Sequence, residues 1–503
     1  MSNLLRVPKE VSVRDICSKS FSWSPGMYRT AIIPTSSVER IRDILDSDCP
    51  FDKGIEPGSI WYMRRSEYYL VRTKALQEDS CLLYPKGDAI TPVNPRAFVD
   101  LNLSDGDILM SKDSNVGECA MVDGDAWKRH MFSGGILRLH PRTDKYYFFS
   151  FLKHPIFKAQ LLSKVPRGAT IAHAKSLWLD CVIPLPNQRD SYRAMRYVAA
   201  LTEAIIDKER AIRAKNRSID QAIIAELSRG QKSGSTFRVP PVMSDELKEL
   251  GRLDAAMYVD DFKRKRFLIT NYVGGYATYQ ELGFEIGRGQ NLQVSCIGKS
   301  IYSDVAKTRF YRLAAPSDLS EYRTVRQFRY LGNSKRLSVL RKGDVVFGAE
   351  GFCKGRAVIL ADEMRKTLTN IHGIVFHPKD GDLVKGIFLG CFLGYLRNEG
   401  IVDAIGAGGS GGSLAIGYFH LVPFPLFPRN VQEDIARLYH NPAPPPQGPL
   451  ALRDFVSWHS RWNDGLGVWE LDREMKILQR TLMEVQEQII EGKTVTVSLA
   501  DGE

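Results

Sequence analysis

The sequence repeats one pattern twice in the same order, and this duplication limits the possible folds more than any other feature does. A Gly-Asp pair that opens an apolar segment occurs at Gly106-Asp107 and again, 237 residues later, at Gly343-Asp344. Further pairs follow in the same order at offsets of 237 to 239 residues: Gly117 with Gly355, Gly135-Ile136 with Gly373-Ile374, His140-Pro141 with His377-Pro378, and Val182–Pro186 with Leu421–Pro425. Upstream, Met27-Tyr28 matches Met257-Tyr258. The sequence therefore predicts two copies of one domain, at residues 1–187 and 236–428.

Each copy consists mainly of short apolar segments that are bounded by turns. Asp107–Met110, Asp344–Phe347 and Ala357–Leu360 are predicted strands. Aromatic residues and leucines recur at helical spacing over residues 146–162 and 383–398, which predicts short helices there. We therefore expect each copy to be a mixed α+β globule.

A long helix is predicted after the first copy, over residues 188–229, because this segment contains neither proline nor glycine. Apolar residues recur there at spacings of three and four, and Asn216 is a polar interruption of the kind that fixes helix register. A second such seam occupies residues 468–489. The two seams predict a coiled coil, whose pairing residues are Ile205, Ile212 and Ile219 on the first helix and Leu471, Leu478, Leu482 and Val485 on the second. The alternative is two amphipathic helices that each pack on their own domain.

The helix after the second copy is interrupted. A short helix over residues 430–439 is followed by a proline-rich loop at 441–449, which cannot continue a helix, and then by a tryptophan-containing segment. The chain therefore divides into a first globule (1–187), a central helix (188–235), a second globule (236–428) and a distal helical region (429–503) with an insertion at 441–467.

The charge balance favours a polyanionic partner. The 503 residues include 69 Lys and Arg against 58 Asp and Glu, which gives a formal net charge of +11. The longest apolar run, Gly386–Leu396, is about half the length that a membrane-spanning helix needs. The eight cysteines are scattered without a C-x-x-C pair, and residues 1–10 do not resemble an export signal. We expect a cytoplasmic protein with reduced thiols.

The sequence lacks the common catalytic motifs. Residues 293–300 resemble a phosphate-binding loop, but Gln293 stands where its first glycine is needed. The glycines near 287 and the run at 406–412 lack the strand and helix of a dinucleotide or S-adenosylmethionine site. The nine histidines form no H-E-x-x-H cluster, and no G-x-S-x-G elbow occurs. We therefore predict a non-catalytic chain that binds no metal and no cofactor itself.

The chain resembles the specificity (S) subunit of type I restriction–modification systems, or a closely related DNA-specificity subunit of a defence methyltransferase complex. The resemblance covers nearly the whole chain and rests on six ordered segments: 106–113 with Val116-Gly117, Pro166–Thr170, Ile183–Pro186, Arg252–Tyr258, Gly343-Asp344, and Val422–Pro425 with 431–435. Two features depart from the pattern. They are the insertion at 441–467 and the glycine-rich segment Gly408–Ser413, which replaces Pro166–Thr170 in the second copy.

The resemblance implies an architecture and a set of partners. Each globule would be a target recognition domain that reads one half of a split sequence in double-stranded DNA. The two helices would form an antiparallel coiled coil that sets the spacer, and 42 helical residues would span about 63 Å. Two DNA methyltransferase subunits would dock on the chain, with a motor–nuclease subunit as a further partner in phage defence. S-adenosylmethionine, ATP and Mg²⁺ would be bound by those partner subunits.

The candidate DNA contacts lie in three places. The loops after the repeated Gly-Asp turns supply Ser111, Lys112, Asp113, Ser114 and Asn115, and on the second copy Lys354. A second pair of loops supplies Arg167, Thr170 and His173 on the first copy and Ser410 and Ser413 on the second. A basic run supplies Lys263, Arg264, Lys265 and Arg266 for phosphate contacts. The alternative for each is a solvated polar turn or a solvated charged face.

Two other functional classes fit the same features. A scaffold protein could use the duplicated globules and the coiled coil to bind protein partners. A degenerate enzyme would instead retain a bound nucleotide or metal. A salt-dependent interaction with duplex DNA distinguishes the first of these from a DNA-specificity subunit.

Overall fold

The computed structural model describes residues 5–18, 21, 23, 28–164, 174–234, 236–238, 241–408, 412–448 and 450–499. The chain forms two compact units. The first unit contains residues 1–210, 445–462 and 473–503, and the second contains 211–444 and 463–472. The boundaries of these units differ from those of the sequence repeat, because the central helix and the last two helices each contribute residues to both units. The four-part division at 187, 235 and 428 stays a prediction.

The first copy contains eleven described strands and ends in the long helix. The strands are β1 (Leu5–Arg6), β2 (Thr30–Ala31), β3 (Val38–Arg40), β4 (Phe51–Lys53), β5 (Tyr68–Val71), β6 (Ile90–Val93), β7 (Ile108–Ser111), β8 (Cys119–Met121), β9 (His130–Phe132), β10 (Ile136–Leu139) and β11 (Val182–Pro184). The helices are α1 (Val13–Ser18), α2 (Ile41–Ile44), α3 (Lys145–Lys153), α4 (Pro155–Lys164) and the long α5 (Ser191–Arg229).

The second copy and the distal region supply the remaining elements. The strands are β12 (Tyr276–Ala277), β13 (Phe284–Arg288), β14 (Ile301–Ser303), β15 (Tyr311–Leu313), β16 (Arg329–Gly332), β17 (Val345–Gly348), β18 (Ala357–Ile359), β19 (Thr367–Leu368), β20 (Gly373–Pro378) and β21 (Phe424–Pro425). The helices are α6 (Ser244–Leu250), α7 (Asp260–Thr270), α8 (Val294–Ile297), α9 (Leu383–Asn398), α10 (Ile401–Ile405), α11 (Arg429–Tyr439), α12 (Phe455–Gly465) and α13 (Val468–Ile490).

The duplication predicted from the sequence is present in the sheets. The main sheet of the first copy has the strand order β4-β10-β7-β8, and that of the second copy has β13-β20-β17-β18. Every pair in both sheets is antiparallel. Helices α3 and α4 follow the first sheet, and the helix α9 follows the second.

A smaller sheet is also repeated, with one difference. In the first copy its order is β6-β5-β9, and in the second it is β14-β16-β15-β19. Both contain one parallel pair, β5 with β9 and β15 with β19. The second copy has the strand β14 at the edge, whereas at the equivalent edge of the first copy Tyr62 forms only a single antiparallel bridge to Val93.

In the first unit, α5 and α13 pack on the core of the first globule. The core cluster there includes Val198 and Ile206 of α5 together with Val485 and Ile489 of α13. The side chain of Gln188 accepts a hydrogen bond from the backbone of Val495 (2.7 Å), while Ile205 shares a second hydrophobic cluster with Leu478. The two helices therefore run antiparallel in this unit.

In the second unit, the rest of α5 is bound through polar groups. The buried guanidinium of Arg323 donates to Asn216 Oδ1 and Asp220 Oδ1, both at 2.6 Å. Tyr272 donates through its hydroxyl to Glu226 at 2.5 Å. Asn216, which the seam predicts as a register residue between helices, therefore binds the globule that Arg323 belongs to.

The predicted α+β class is confirmed, with a long helix between two sheet-containing globules. The helix predicted over 383–398 has these bounds, whereas the segment 146–162 forms two helices that meet at His154-Pro155. No helix in the described ranges is both long and apolar enough to cross a membrane. All eight cysteines are free thiols.

Candidate nucleic-acid interface

The repeated Gly-Asp turns have the same local geometry in both copies. Gly106 and Gly343 have φ values of 82° and 86°, which glycine adopts without the steric cost of a Cβ atom. The carboxylates of Asp107 and Asp344 each accept a hydrogen bond from the backbone N–H three residues earlier, at 3.0 and 2.8 Å. The turns are therefore built by short-range bonds that the Gly-Asp sequence encodes.

Each aspartate is also fixed by a basic residue on the neighbouring strand. Asp107 forms an ion pair with Arg138 at 3.2 Å, and the imidazole of His377 lies 2.6 Å from Asp344. Burial raises the pKa of Asp344, although the hydrogen bonds from Arg341 and His377 oppose this shift. These carboxylates hold the turns and are not free to contact a ligand.

The hairpin that follows each turn is closed by corresponding backbone hydrogen bonds in the two copies, although its loop is one residue longer in the second. Ser111 donates to the carbonyl of Glu118 (2.8 Å), and its counterpart Gly348 donates to the carbonyl of Arg356 (2.8 Å). The backbone N–H of the next residue donates to the turn before the last strand of the sheet. Its carbonyl accepts a hydrogen bond from a segment that comes much later in the sequence. These bonds are Lys112 to Gly135 and Ala174 to Lys112 in the first copy, and Ala349 to His372 and Leu414 to Ala349 in the second. Ala349 therefore occupies the position of Lys112.

The predicted loop of the first copy has both accessible and engaged side chains. The side chains of Lys112 and Asp113 are 26% and 24% exposed, with Nζ and Oδ2 3.4 Å apart, and Ser114 is exposed. Ser111 is buried and donates through its hydroxyl to the carbonyl of Asp113 (2.6 Å). Asn115 donates through Nδ2 to the carbonyls of Thr73 and Leu76, both at 2.8 Å. Of these five side chains, Lys112, Asp113 and Ser114 thus present polar atoms that a ligand could reach.

The second copy differs at the same loop. Glu350 follows Ala349 and is bound to Arg288 at 3.2 Å and to His372 at 2.7 Å. Lys354 is buried, with its Nζ 3.2 Å from Asp403. A Cβ atom would lie 2.5 Å from that Nζ at Gly406 and 3.0 Å from it at Gly412, so these two glycines pack closely on Lys354. The side chain of Lys354 therefore contacts both glycines and does not lie at the surface.

The second pair of predicted loops is only partly described. Arg167, Thr170, His173 and Ser410 lie outside the described residues. Ser413 is half-buried and exchanges two backbone hydrogen bonds with Ala407, at 2.7 and 2.8 Å.

The basic run forms part of the helix α7, and its four cations differ in their surroundings. Lys263 is buried, with Nζ 6.0 Å from the ring centre of Tyr258. Lys265 pairs with Asp261 (2.8 Å) and Glu399 (3.4 Å). Burial alone would lower the pKa of Lys265, but these two carboxylates raise it. Arg264 is exposed and Arg266 is half-buried, so these two are the cations of the run that face solvent without a carboxylate partner among the described residues.

The predicted helix-pairing residues are all in the described region. Ile205 and Leu478 lie in one hydrophobic cluster, and Leu482 packs against that cluster and against the core that contains Val485. In the second unit, Ile212, Ile219 and Leu471 are buried.

One group of metal-ligand type side chains occurs in the first globule. The potential ligand atoms of Cys49, Asp52 and His140 lie within 4.8 Å of one another. Arg138 binds the Asp52 carboxylate through two nitrogens. Burial, and after it the charge of Asp52, raises the pKa of the Cys49 thiol. Burial alone would raise the pKa of Asp52, but hydrogen bonds from Arg138 and His140 lower it. A guanidinium on the carboxylate and a protonated thiol both disfavour a cation here.

Sequence reasoning missed the residues that attach α5 to the first globule. Glu209 accepts hydrogen bonds from the hydroxyl of Ser80 (2.6 Å) and the backbone of Cys81 (2.8 Å). Arg210 pairs with Asp105 and Asp123, both at 2.8 Å. The available signal in the sequence was a pair of charged residues, Glu209 and Arg210, in the middle of the predicted long helix.

Comparisons with known proteins give structural matches only. No protein-family model and no curated protein matches the chain. The S subunit of a type I restriction–modification system from M. genitalium is 12% identical, with 92% of this chain and 96% of that chain covered and a TM-score of 0.40. The HsdS subunit from Thermoanaerobacter tengcongensis is 14% identical, with 91% and 97% covered and a TM-score of 0.26.

A third structure comes from work on complex assembly and conformational transition of the type I R-M system. It is 14% identical, with 90% of this chain and 97% of that chain covered and a TM-score of 0.28. The three structures belong to the family that the sequence motifs of this chain resemble.

Proposed function

We propose that this chain is the DNA-specificity subunit of a restriction–modification complex, in which each globule reads one half of a bipartite target. The observation that carries the proposal is the duplicated hairpin. The backbone hydrogen bonds that close and anchor it correspond in the two copies, while the side chains on it differ.

A common backbone with different side chains suits the reading of two different half-sites. The first hairpin offers a lysine, a carboxylate and a hydroxyl at Lys112, Asp113 and Ser114. The second offers the small Ala349 and the carboxylate of Glu350 at the equivalent place. Because bases are distinguished by their donor and acceptor patterns, these two sets would select different sequences.

The long helices would set the distance between the half-sites. Helix α5 has 39 residues and would therefore extend over about 58 Å. Major grooves on one face of a duplex recur about every 34 Å. Ion pairs and hydrogen bonds attach α5 at Arg210 within the first unit and at Asn216 and Asp220 within the second, so each globule has its own contacts with the helix.

The chemistry of the complex would belong to partner subunits. In this proposal two DNA methyltransferase subunits bind S-adenosylmethionine, and a motor–nuclease subunit uses ATP and Mg²⁺. This chain would supply sequence recognition without catalysing a step, as part of phage defence in the cytoplasm.

A binding titration with duplex DNA tests the proposal against the scaffold alternative. The purified chain is titrated with a labelled duplex at a series of salt concentrations. For a DNA-specificity subunit, the logarithm of the affinity falls linearly with the logarithm of the salt concentration, because each phosphate contact releases counterions. A chain without measurable affinity for duplex DNA at about 50 mM salt would instead be a scaffold.

A further inference from the structure

The smaller sheet of the second globule carries an uncompensated positive surface. We name as the basic sheet the strands β14, β15 and β16 with their connections, within residues 299–336. Six exposed cations lie on it, namely Lys299, Lys307, Arg309, Arg312, Lys335 and Arg336. Its exposed acidic residue is Asp304, and among the described residues none of the six cations forms an ion pair.

The equivalent part of the first globule has balanced charges. Residues 54–98, from the end of β4 to just beyond β6, contain six Lys and Arg against five Asp and Glu. Residues 289–336, from the end of β13 to just beyond β16, contain nine against three. Two exposed cations of the first globule are paired, Lys74 with Asp88 and Arg129 with Glu67, whereas Arg64, Arg65 and Arg96 are exposed without an ion pair among the described residues. The excess of cations over carboxylates is therefore one in this part of the first copy and six in the equivalent part of the second.

The cations are held by ordered turns, most of which lie at one end of the sheet. At one end, Asn333 donates to the carbonyl of Ile297 (3.1 Å) and to the hydroxyl of Ser300 (2.8 Å). Lys335 donates to the carbonyl of Cys296 at 3.0 Å, so Lys299, Lys335 and Arg336 lie together there.

At the same end, the backbone of Phe310 donates to the carbonyl of Lys307 (3.0 Å) and closes a turn that contains Arg309. This turn leads into Tyr311, which lies opposite Leu331. The ammonium of Lys307 lies 5.2 Å from the ring centre of Phe310. Arg312 follows on β15, opposite Tyr330 of β16. These bonds fix a second group of cations, Lys307, Arg309 and Arg312.

Apolar side chains lie exposed beside these cations. Ile301 is 65% exposed and Tyr302 is 56% exposed on the edge strand β14, and Val305 is 71% exposed in the next turn. The cations are therefore concentrated where β14 and β15 begin and β16 ends. Such a concentration of charge suits the closely spaced phosphates of a duplex.

We propose that the basic sheet binds the phosphates of duplex DNA without regard to sequence, so that the second globule holds DNA more strongly than the first. The proposal rests on the proposed function, and it adds an asymmetry that the duplicated fold does not require. Uncompensated charge of one sign attracts polyanions and repels itself in the free protein, which a bound duplex would relieve.

The test compares two triple variants of the full chain with a matched control. Lys299, Lys335 and Arg336 are replaced by Gln in one variant, and Lys307, Arg309 and Arg312 in the other. The control replaces Arg64, Arg65 and Arg96, which are exposed in the equivalent part of the first globule. Fluorescence anisotropy with a duplex of random sequence gives the slope of log affinity against log salt concentration, and circular dichroism checks folding.

Each triple variant should reduce that slope by about 2 to 3, at about 0.9 for each phosphate that is no longer neutralised, while the control changes it by less than about 1. Unchanged slopes in both folded variants would overturn the basic-sheet proposal while leaving sequence-specific binding by the wild type intact. A wild type that binds DNA without sequence preference, but loses slope in the variants, would keep this proposal and overturn the proposed function. If the variants lost binding to vesicles with anionic lipid but kept their binding to DNA, the surface would be assigned to a membrane and the proposal would be overturned.

Discussion

Lys112 and Ala349 occupy the same position in two hairpins that are 237 residues apart in the sequence. The backbone N–H of each donates to a carbonyl just before the last strand of its sheet, at 2.9 Å to Gly135 and 3.2 Å to His372. The carbonyl of each accepts from the end of the second loop, at 2.8 Å from Ala174 and from Leu414. One copy therefore presents an ammonium group where the other presents a methyl group.

Replacing Lys112 by Ala should weaken binding at one half-site only. The variant removes the cation that distinguishes the first hairpin from the second, and removing one interaction with a phosphate or base edge costs about 1–3 kcal/mol. The measurement is the affinity for duplexes that carry either half-site mutated. Lys493→Ala is the control, because Lys493 is exposed in the same unit and pairs with Glu491 at 2.5 Å. Equal decreases in affinity at both half-sites would show that Lys112 does not act in the recognition of one half-site by the first globule.

Asn115 should contribute to stability and not to DNA affinity. Its Nδ2 satisfies the carbonyls of Thr73 and Leu76, so Asn115→Ala would leave two acceptors without these bonds. We expect the free energy of unfolding to fall by about 1–3 kcal/mol. Urea denaturation followed by circular dichroism measures this change. Ser114→Ala, at an exposed position of the same loop, should change it by less than about 0.5 kcal/mol. A stable Asn115→Ala variant with weakened DNA binding would show instead that Asn115 contributes to DNA affinity and not to stability.

Arg323 should be essential to the attachment of α5 in the second unit. Arg323→Met removes the guanidinium from Asn216, Asp220 and the carbonyl of Cys391 and leaves the Asp220 carboxylate without its charged partner, with only the amide of Asn398 bound to it. Breaking a buried ion pair by removing one member costs about 3–5 kcal/mol. Thermal and urea unfolding would report this decrease in stability. Arg437→Met provides the comparison, because Arg437 is 66% exposed and its ion pair with Asp434 contributes little. Similar stability of the two variants would contradict the role of Arg323.

Acid should destabilise the first unit through His154. Burial lowers the pKa of His154 to about 4, whereas an unfolded histidine has a pKa of about 6.5. Between these values the unfolded chain binds more protons, so the free energy of unfolding is complete above about pH 6.5 and falls as the pH decreases towards about 4. In His154→Asn this part of the decrease, about 1–3 kcal/mol, should be absent. Parallel stability curves for the wild type and the variant would show that His154 does not cause it.

Much of the fold was predictable because it follows from short-range patterns that the sequence repeats in the same order. The Gly-Asp turns, the helix α9 and the long α5 follow from short-range patterns in the sequence. The split between α3 and α4 was missed although Pro155 marks it. A residue before proline is driven out of the helical region, and His154 has φ −70° and ψ 139°.

The site was less predictable because side-chain partners come from distant parts of the sequence. Lys354 resembles an accessible cation until Asp403 is seen beside it, and Asn216 resembles a helix-pairing residue until Arg323 is seen. The basic sheet left a signal in the charge balance of residues 289–336. That signal became specific only when the structure showed the six cations exposed and the first copy balanced.

Selection of bound duplexes from a pool of random sequences tests the central claim most directly. The purified chain, alone or with its methyltransferase partners, is incubated with the pool, and the retained molecules are sequenced. The duplicated hairpins predict two different short conserved blocks that are separated by a non-conserved gap of constant length. A single continuous block, two blocks at variable distance, or a pool without enrichment would contradict a chain in which two globules read a split target at a fixed spacing.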